Sequence, residues 1–178
     1  MPYDKGPSAA MTARIPWIAL MACVPLRALA IDSVSAEVGH GNYETNLVRV
    51  GLQWQGHKKA FEDSTWQIAH YIDLSVGGWN GDHGTVYDLG LTPVFRFQHA
   101  SRSPYFEAAI GFHVISNLEF KGNVDTSTRF QFGDHVGVGF VHGRYDWSLR
   151  LQHLSNAGIE NPNPGINFLQ IRLQYAID

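Results

Sequence analysis

The feature that most constrains the fold is an alternation of apolar and polar residues with a period of two, which recurs along the chain after about residue 30. This alternation is typical of β-strands whose two faces meet different surroundings. It occurs in eight segments separated by clusters of Gly, Asn, Asp, Ser and Pro, namely residues 33–39, 45–55, 65–77, 86–98, 104–115, 130–141, 145–156 and 166–177. An even number of such strands in a chain of 178 residues predicts an all-β fold, a small closed antiparallel barrel.

The first thirty residues are predicted to be a secretory signal peptide. Lys5 and Arg14 precede an apolar stretch that is too short to span a bilayer as a helix, and the segment ends in the small-x-small sequence Ala28-Leu-Ala30. We therefore expect cleavage after Ala30, which leaves residues 31–178 as the barrel domain. The single cysteine, Cys23, is removed with the signal peptide.

Two alternatives remain open for this segment. Translation could start at Met11 rather than Met1, which would give a more usual positively charged beginning. The sequence Leu20-Met-Ala-Cys23 also resembles a lipoprotein cleavage box.

The two faces of the predicted strands differ in a way that favours a membrane barrel. In the last strand, one face carries only bulky apolar and aromatic residues, from Leu169 to Ile177. Across the strands, the opposite face is rich in Gly and carries four acids and four bases: Glu37, Arg49, Asp73, Asp88, Arg96, Glu107, Arg150 and Arg172. Balanced charges predict a filled polar interior, because buried charges must be paired. The apolar face then points outward into lipid, as in outer-membrane barrels.

A secreted soluble barrel, with the apolar face inside, is the alternative on pattern alone. Two polar residues, His70 and Asp134, have the parity of the lipid face, and the sequence offers no explanation for either beyond a bulge or an interface position.

The strand count also orients the connections. If both termini lie in the periplasm, the connections after strands one, three, five and seven are extracellular. Residues 78–85, 116–129 and 157–165 are then extracellular loops, whereas 99–103 and 142–144 are short periplasmic turns.

Candidate catalytic residues lie in the last two strands. The parity that places Trp147 to Leu151 on the lipid face also places His153 and Ser155 there. If the final hairpin pairs residues whose numbers sum to 320, Asn167 lies opposite His153. The three side chains then gather on the outside of the barrel, near its extracellular rim.

This grouping suits nucleophilic hydrolysis of a membrane lipid. Serine is a weak nucleophile at neutral pH and needs an adjacent base, and the base needs a third group that orients its ring. Residues i and i+2 of a strand lie on the same face, within mutual reach. The alternative is that His153 and Ser155 are simply polar residues where a strand leaves the membrane, and parity alone does not decide between the two.

The hairpin resembles that of a known enzyme family. The segment His153-Leu-Ser-Asn-Ala-Gly158, followed by Asn161-Pro-Asn-Pro-Gly165 and Asn167, is similar to the active-site hairpin of the lipid A 3-O-deacylases, the PagL family. Residues 33–39 and 47–54 resemble the same family. The resemblance implies an eight-stranded, multi-pass barrel in the Gram-negative outer membrane. It also implies hydrolysis of the ester at the 3 position of lipid A, without metal or cofactor, by a His, a Ser and an acidic residue.

Carried over to this chain, the resemblance makes Ser155 the nucleophile and His153 the general base. Asn163 and the backbone N–H near Gly158 become candidates for oxyanion or substrate binding, together with Asn156.

The chain departs at Asn167 from the best-known pattern of the family, which has Glu there, and Asn could be the normal residue of this branch. An amide can orient an imidazole, but it cannot offset the charge of the imidazolium. Glu160 is a nearby carboxylate, but it lies in the turn at the hairpin tip and ranks below Asn167.

Other functions find little support. A formal charge of −3 without a Lys/Arg block argues against nucleic acid as a partner, and a single cysteine excludes a disulfide scaffold. Several histidines have no metal-ligand spacing and are interpreted as turn, rim or interior residues: His40, His57, His83, His99, His113 and His142. The expected partners are lipopolysaccharide and outer-membrane lipid, and a homodimer is left open.

Two further functions stay open as alternatives. One is a non-enzymatic small barrel with a structural or adhesive role, against which the modest loops count. The other is a secreted soluble binder, which would purify without detergent.

Overall fold

Eight long antiparallel strands close into a barrel in the computed structural model, which describes residues 30–122 and 124–177. The barrel strands are β1 Ser33–Gly41, β2 Thr45–Gln55, β3 Trp66–Gly81, β4 Gly84–His99, β5 Tyr105–Ile115, β8 Phe130–His142, β9 Tyr145–Ser155 and β10 Ile166–Ala176. Each pairs with the next, and β1 pairs with β10 to close the ring. In a closed barrel, the backbone N–H and C=O groups of every strand find hydrogen-bond partners on a neighbouring strand. Lipid offers no such partners to an open edge. The predicted barrel is confirmed.

The signal-peptide prediction concerns residues 1–30, which lie outside the described residues except for Ala30. No helix within the described ranges is long and apolar enough to cross a membrane.

The sequence predicts a loop at residues 78–85, and this prediction is wrong. There β3 and β4 continue as a paired hairpin up to Gly81 opposite Gly84, and only residues 82 and 83 form the turn. Gly84 has φ +117°, a conformation that glycine adopts readily, and this allows so tight a turn. The predicted 116–129 loop contains a small hairpin of β6 Glu119–Lys121 and β7 Val124–Asp125.

The two faces of the wall follow the predicted parity. All eight charged residues assigned to the interior are buried. Large apolar side chains are exposed on the outer surface, for example Val48, Phe95, Ile110, Leu151 and Ile171. This is the reverse of a soluble barrel, whose apolar face would be inside.

Ion pairs hold the interior charges. The Arg150 guanidinium contacts Glu107 at 2.6 Å and Glu37 at 2.9 Å, and it also donates to the Tyr71 hydroxyl at 2.7 Å. Arg49 contacts Asp88 at 2.7 Å. Such pairing offsets part of the cost of removing charge from water.

The interior becomes apolar beneath the connections that follow β1, β3, β5 and β9. Seven buried side chains form a cluster at this end of the barrel: Leu47, Trp79, Val86, Ile115, Leu154, Ile166 and Phe168. Three of these belong to β9 and β10, where the candidate residues occupy the opposite, outward face. The cluster therefore supports the wall from behind the site.

Candidate active site

The β9–β10 hairpin brings His153 and Asn167 into contact. The two residues are directly opposite each other, in the register that a pair sum of 320 predicts. His153 Nδ1 lies 2.7 Å from Asn167 Oδ1. Because a carbonyl oxygen only accepts hydrogen bonds, the ring donates from Nδ1, and Nε2 is left with a free lone pair. The ring is thereby held in the tautomer that a general base at Nε2 requires.

Ser155 is the last residue of β9 and lies two residues from His153 on the same outward face. Both side chains are half-buried. Within the described part of the chain no hydrogen bond joins them directly. Bonds between a nucleophile and its base are often long in free enzymes and shorten when substrate binds. The backbone thus places the pair on one face and leaves the final approach to side-chain rotation.

The backbone around Asn167 is tied to the β1–β2 turn. Asn167 N–H donates to Asn42 Oδ1 at 3.0 Å, and Asn42 N–H donates to the Asn167 carbonyl oxygen at 3.0 Å. The second bond continues the β1–β10 ladder past the end of β1, and the first replaces the next ladder bond by a side chain. They hold the start of β10 and, with it, the residue that orients His153.

Gly165 packs against the edge of the His153 ring that carries Nε2. A Cβ at position 165 would lie 2.5 Å from His153 Cε1 and 3.1 Å from Nε2. Gly165 also has φ +64°, which other residues adopt only with strain. The loop therefore reaches the imidazole closely because this position has no side chain.

We expect Gly165→Ala to displace the His153 ring and to lower kcat by about 10-fold to 100-fold, because displacements of about 1 Å are costly in catalysis. The matched control is Gly143→Ala, since Gly143 has φ +60° but no atom within 4 Å of the position that an added Cβ would take. The measurement is fatty-acid release from lipopolysaccharide by both variants. Equal rates would show that contact with the ring has no catalytic importance.

Asn156 organises the loop between β9 and β10. Its side chain is fully buried, and its Nδ2 donates to the carbonyl oxygens of Thr126 at 3.0 Å and Glu160 at 2.9 Å. Its Oδ1 accepts the Gly158 N–H at 2.8 Å, and its own N–H donates to Asn163 Oδ1 at 3.0 Å. These contacts hold the loop together, and contact of Asn156 with an oxyanion or substrate stays a prediction.

The two oxyanion candidates differ in whether their donor group already has a partner. The Gly158 N–H is bonded to Asn156 Oδ1. Asn163 accepts a bond at Oδ1, and no hydrogen bond among the described residues uses its Nδ2. The Glu160 carbonyl oxygen accepts a hydrogen bond from Asn156, and Glu160 is exposed at the tip of the hairpin.

An open groove of about 500 Å³ lies on the outer surface beside the His153–Asn167 pair. It is lined by His40, Asn42, Asp134, Val136, Leu151, Gln152, His153, Asn167, Phe168 and Leu169. Asp134 belongs to β8 and lies directly opposite His153, on the side away from Asn167. Strand parity places Asp134 on the lipid face but does not explain why an acidic residue lies there. Only the β8–β9 register shows that Asp134 is the neighbour of the candidate base.

Aromatic side chains lie next to Ser155 on the neighbouring strand β8. Phe132 of β8 is opposite Ser155. Its ring centroid lies 5.1 Å from that of Phe130 and 6.0 Å from that of Phe112. Ser155 therefore lies between the residue His153, which lines the polar groove, and an apolar patch, which suits a substrate with a polar head and an acyl chain.

Comparison with known proteins identifies relatives over most of the chain. The family model described as lipid A 3-O-deacylase (PagL) matches residues 46–176. The lipid A deacylase PagL of Pseudomonas aeruginosa is 32% identical over 155 residues, which cover 84% of this chain and 88% of the relative. The protein of the same name from Bordetella bronchiseptica is 40% identical over 108 residues, which cover 58% of this chain and 60% of the relative.

Solved structures agree with the sequence comparison. A crystal structure of the outer membrane enzyme PagL superposes with a TM-score of 0.75 at 31% identity, covering 82% of this chain and 99% of that one. A de novo designed transmembrane β-barrel superposes with a TM-score of 0.54 at 12% identity, covering 83% of this chain and 95% of the design, and this likeness concerns the fold alone.

Proposed function

Because the chain belongs to the PagL family of lipid A 3-O-deacylases, we propose that Ser155 and His153 cleave the 3-position ester of lipid A on the outer face of the barrel. The protein is an outer-membrane ester hydrolase, and its substrate is the lipid A part of lipopolysaccharide. The assignment of individual residues to the reaction is our proposal.

The observation that carries the assignment is the 2.7 Å hydrogen bond between His153 Nδ1 and Asn167 Oδ1 on the lipid-facing surface. It presents Nε2 as a proton acceptor on the face that also carries Ser155. A histidine oriented by one partner and placed beside a serine is the arrangement of nucleophilic hydrolases.

The reaction is acyl transfer to water in two steps. Ser155 Oγ attacks the ester carbonyl carbon while His153 Nε2 takes the hydroxyl proton. The bond between the carbonyl carbon and the sugar oxygen then breaks, and the imidazolium returns its proton to that oxygen. A water molecule, deprotonated by His153, then attacks the carbonyl carbon of the acyl-enzyme. The bond from that carbon to Ser155 Oγ breaks, His153 returns the proton to Oγ, and the 3-hydroxy fatty acid leaves.

Negative charge develops on the carbonyl oxygen in both steps. Asn163 is the donor we assign to it, since Asn156 N–H binds its Oδ1 and no hydrogen bond within the described ranges uses its Nδ2. The Gly158 N–H would join it after leaving Asn156 Oδ1. A single oxyanion donor is typically worth about 100-fold to 1000-fold in kcat.

The position of the site explains how the substrate arrives. Lipid A lies in the outer leaflet and reaches an outward-facing site by lateral diffusion, so the barrel needs no channel. Its acyl chains would pack along the exposed apolar strand faces and on the Phe112, Phe130 and Phe132 patch.

Two further proposals accompany the function. Residues 1–30 direct secretion and are removed, which leaves 31–178 as the mature barrel. A homodimer stays a prediction, and cross-linking in intact membranes would test it.

Mass spectrometry of lipid A tests the function directly. A Gram-negative host that expresses the full chain is expected to show lipid A lacking one 3-hydroxyacyl chain at the 3 position, whereas a host with an empty vector keeps it. Unchanged lipid A in cells that contain the folded barrel, or loss of an acyl chain from another position, would contradict the proposal.

A further inference from the structure

The connection between β5 and β8 contacts the loop that joins β9 to β10. Its β6–β7 hairpin is followed by Thr126 and Ser127. The Thr126 carbonyl oxygen accepts a hydrogen bond from Asn156 Nδ2 at 3.0 Å, and the Ser127 hydroxyl donates to the Pro162 carbonyl oxygen at 2.7 Å. These bonds join residues that are 30 and 35 positions apart in the sequence, so they tie the candidate active-site loop to a distant segment.

The backbone that carries the Ser127 hydroxyl is held in place. Thr126 is 2% exposed, and its N–H donates to the Leu118 carbonyl oxygen at 3.1 Å. The Ser127 N–H donates to Asp125 Oδ1 at 2.6 Å. Ser127 therefore presents its hydroxyl to the β9–β10 loop from a fixed position.

The β6–β7 hairpin is also bonded to two other connections at the same end of the barrel. Lys121 Nζ donates to the Glu44 carbonyl oxygen in the β1–β2 turn at 3.1 Å. The Gly122 N–H donates to Asp82 Oδ2 in the β3–β4 turn at 2.9 Å. The connection thus rests on the closed barrel, and it can support the loop that it contacts.

Pro162 directly precedes Asn163, the proposed oxyanion donor. Asn163 Oδ1 accepts the Asn156 N–H at 3.0 Å, which fixes one atom of the amide. The bond from Ser127 fixes the carbonyl group of the peptide that joins Pro162 to Asn163. The side chain and the backbone of Asn163 are then both restrained, and a donor held in place in advance stabilises a developing charge best.

We propose that Ser127 is a positioning residue for the deacylation: its bond to the Pro162 carbonyl oxygen keeps the Asn163 amide where the oxyanion forms. Ser127 acts through Asn163 and does not touch the reacting ester. The β5–β8 connection thereby takes part in catalysis, although it carries neither the nucleophile nor the base. The inference rests on the proposed function and on the role of Asn163 in it.

The test is a set of four proteins: the unaltered chain, Ser127→Ala, Asn163→Ala and the double variant, each assayed for kcat and KM with lipopolysaccharide in membranes. Ser127 has φ +60°, which serine and alanine adopt at similar cost, so Ser127→Ala removes the hydroxyl without new backbone strain. It is expected to lower kcat about 10-fold with KM unchanged, because a displaced oxyanion donor weakens binding of the transition state and not of the substrate.

Asn163→Ala is expected to lower kcat at least about 100-fold, the usual effect of losing an oxyanion donor. In the double variant kcat should be no lower than in Asn163→Ala alone, because Ser127 then has no amide left to position. This non-additivity separates a role through Asn163 from a general loosening of the loop, which would lower kcat further in the double variant.

Ser116→Ala is the matched control, since it removes a serine hydroxyl from the same connection. Ser116 Oγ accepts the Tyr87 N–H of β4 at 2.9 Å, a contact outside the β9–β10 loop, and we expect unchanged kcat. Urea titration should give the same unfolding midpoint for Ser127→Ala and the unaltered chain. Unchanged kcat in Ser127→Ala, an equal loss in Ser116→Ala, or single losses that multiply in the double variant would each overturn the proposal.

Ser155→Ala is assayed alongside. If it is inactive and Ser127→Ala behaves like the unaltered chain, the role of Ser127 falls and the proposed function stands. If Ser155→Ala retains activity, both fall.

Discussion

Ser155→Ala and His153→Ala are each expected to abolish release of the 3-position acyl chain, with a loss of at least about 1000-fold in kcat, because nucleophile and base act as one unit. For the same reason the double variant should be no worse than either single variant. The measurement is mass spectrometry of lipid A from cells that contain equal amounts of each protein. Heat-modifiable migration on gels, which folded barrels show and unfolded chains do not, checks that the barrel is intact.

Matched controls exist at the opposite end of the barrel. Ser101 lies in the turn between β4 and β5, and His142 ends β8; both are exposed. Ser101→Ala and His142→Ala should therefore leave deacylation unchanged. Retained activity in Ser155→Ala or His153→Ala would show that the reaction uses another nucleophile or base.

Arg150→Met is expected to destabilise the barrel by about 3–5 kcal/mol, because it removes one partner of a buried ion-pair cluster and leaves the acids of that cluster short of one positive charge. Arg150 contacts Glu107, Glu37 and Tyr71 and also lies 4.0 Å from Asp73. The side chain of Met is similar in length, so lost charge rather than lost volume dominates. The free energy of unfolding is measured by urea titration of the barrel in lipid vesicles.

The control for this change is Arg102→Met, since Arg102 is exposed in the β4–β5 turn. It removes the same charge from the chain without opening a buried cluster, and its effect should be within about 0.5 kcal/mol. An equal unfolding free energy for Arg150→Met and the unaltered chain would show that the interior charges are not held by this arginine.

Several features of the fold were predictable because each depends on local periodicity. Side chains of a strand alternate strictly between two faces, so the burial of Arg49, Glu107 and Arg172 followed from parity alone. The opposition of His153 and Asn167 followed from one further assumption, the centre of the final hairpin. Composition was misleading at residues 78–85, because a run of Gly, Asn and Asp is typical of a loop and here continues two paired strands to a two-residue turn.

Other features depend on contacts between segments that are distant in sequence. Asn42 meets Asn167, Thr126 meets Asn156, and Asp134 meets the face of β9 that carries His153. The apolar layer beneath the loops likewise collects residues from several strands. No periodicity within one segment indicates which residue of another segment lies beside it.

The sequence by itself determined the barrel, its polar interior and the hairpin that carries His153, Ser155 and Asn167, because alternation and a short turn are local properties of the chain. Only the tertiary structure decided what surrounds the imidazole. The β8–β9 register places Asp134 beside it, and the loop brings Gly165 to within contact of its Nε2 edge. Both depend on how the closed ring aligns its strands, and that alignment is set by the packing of all eight strands together.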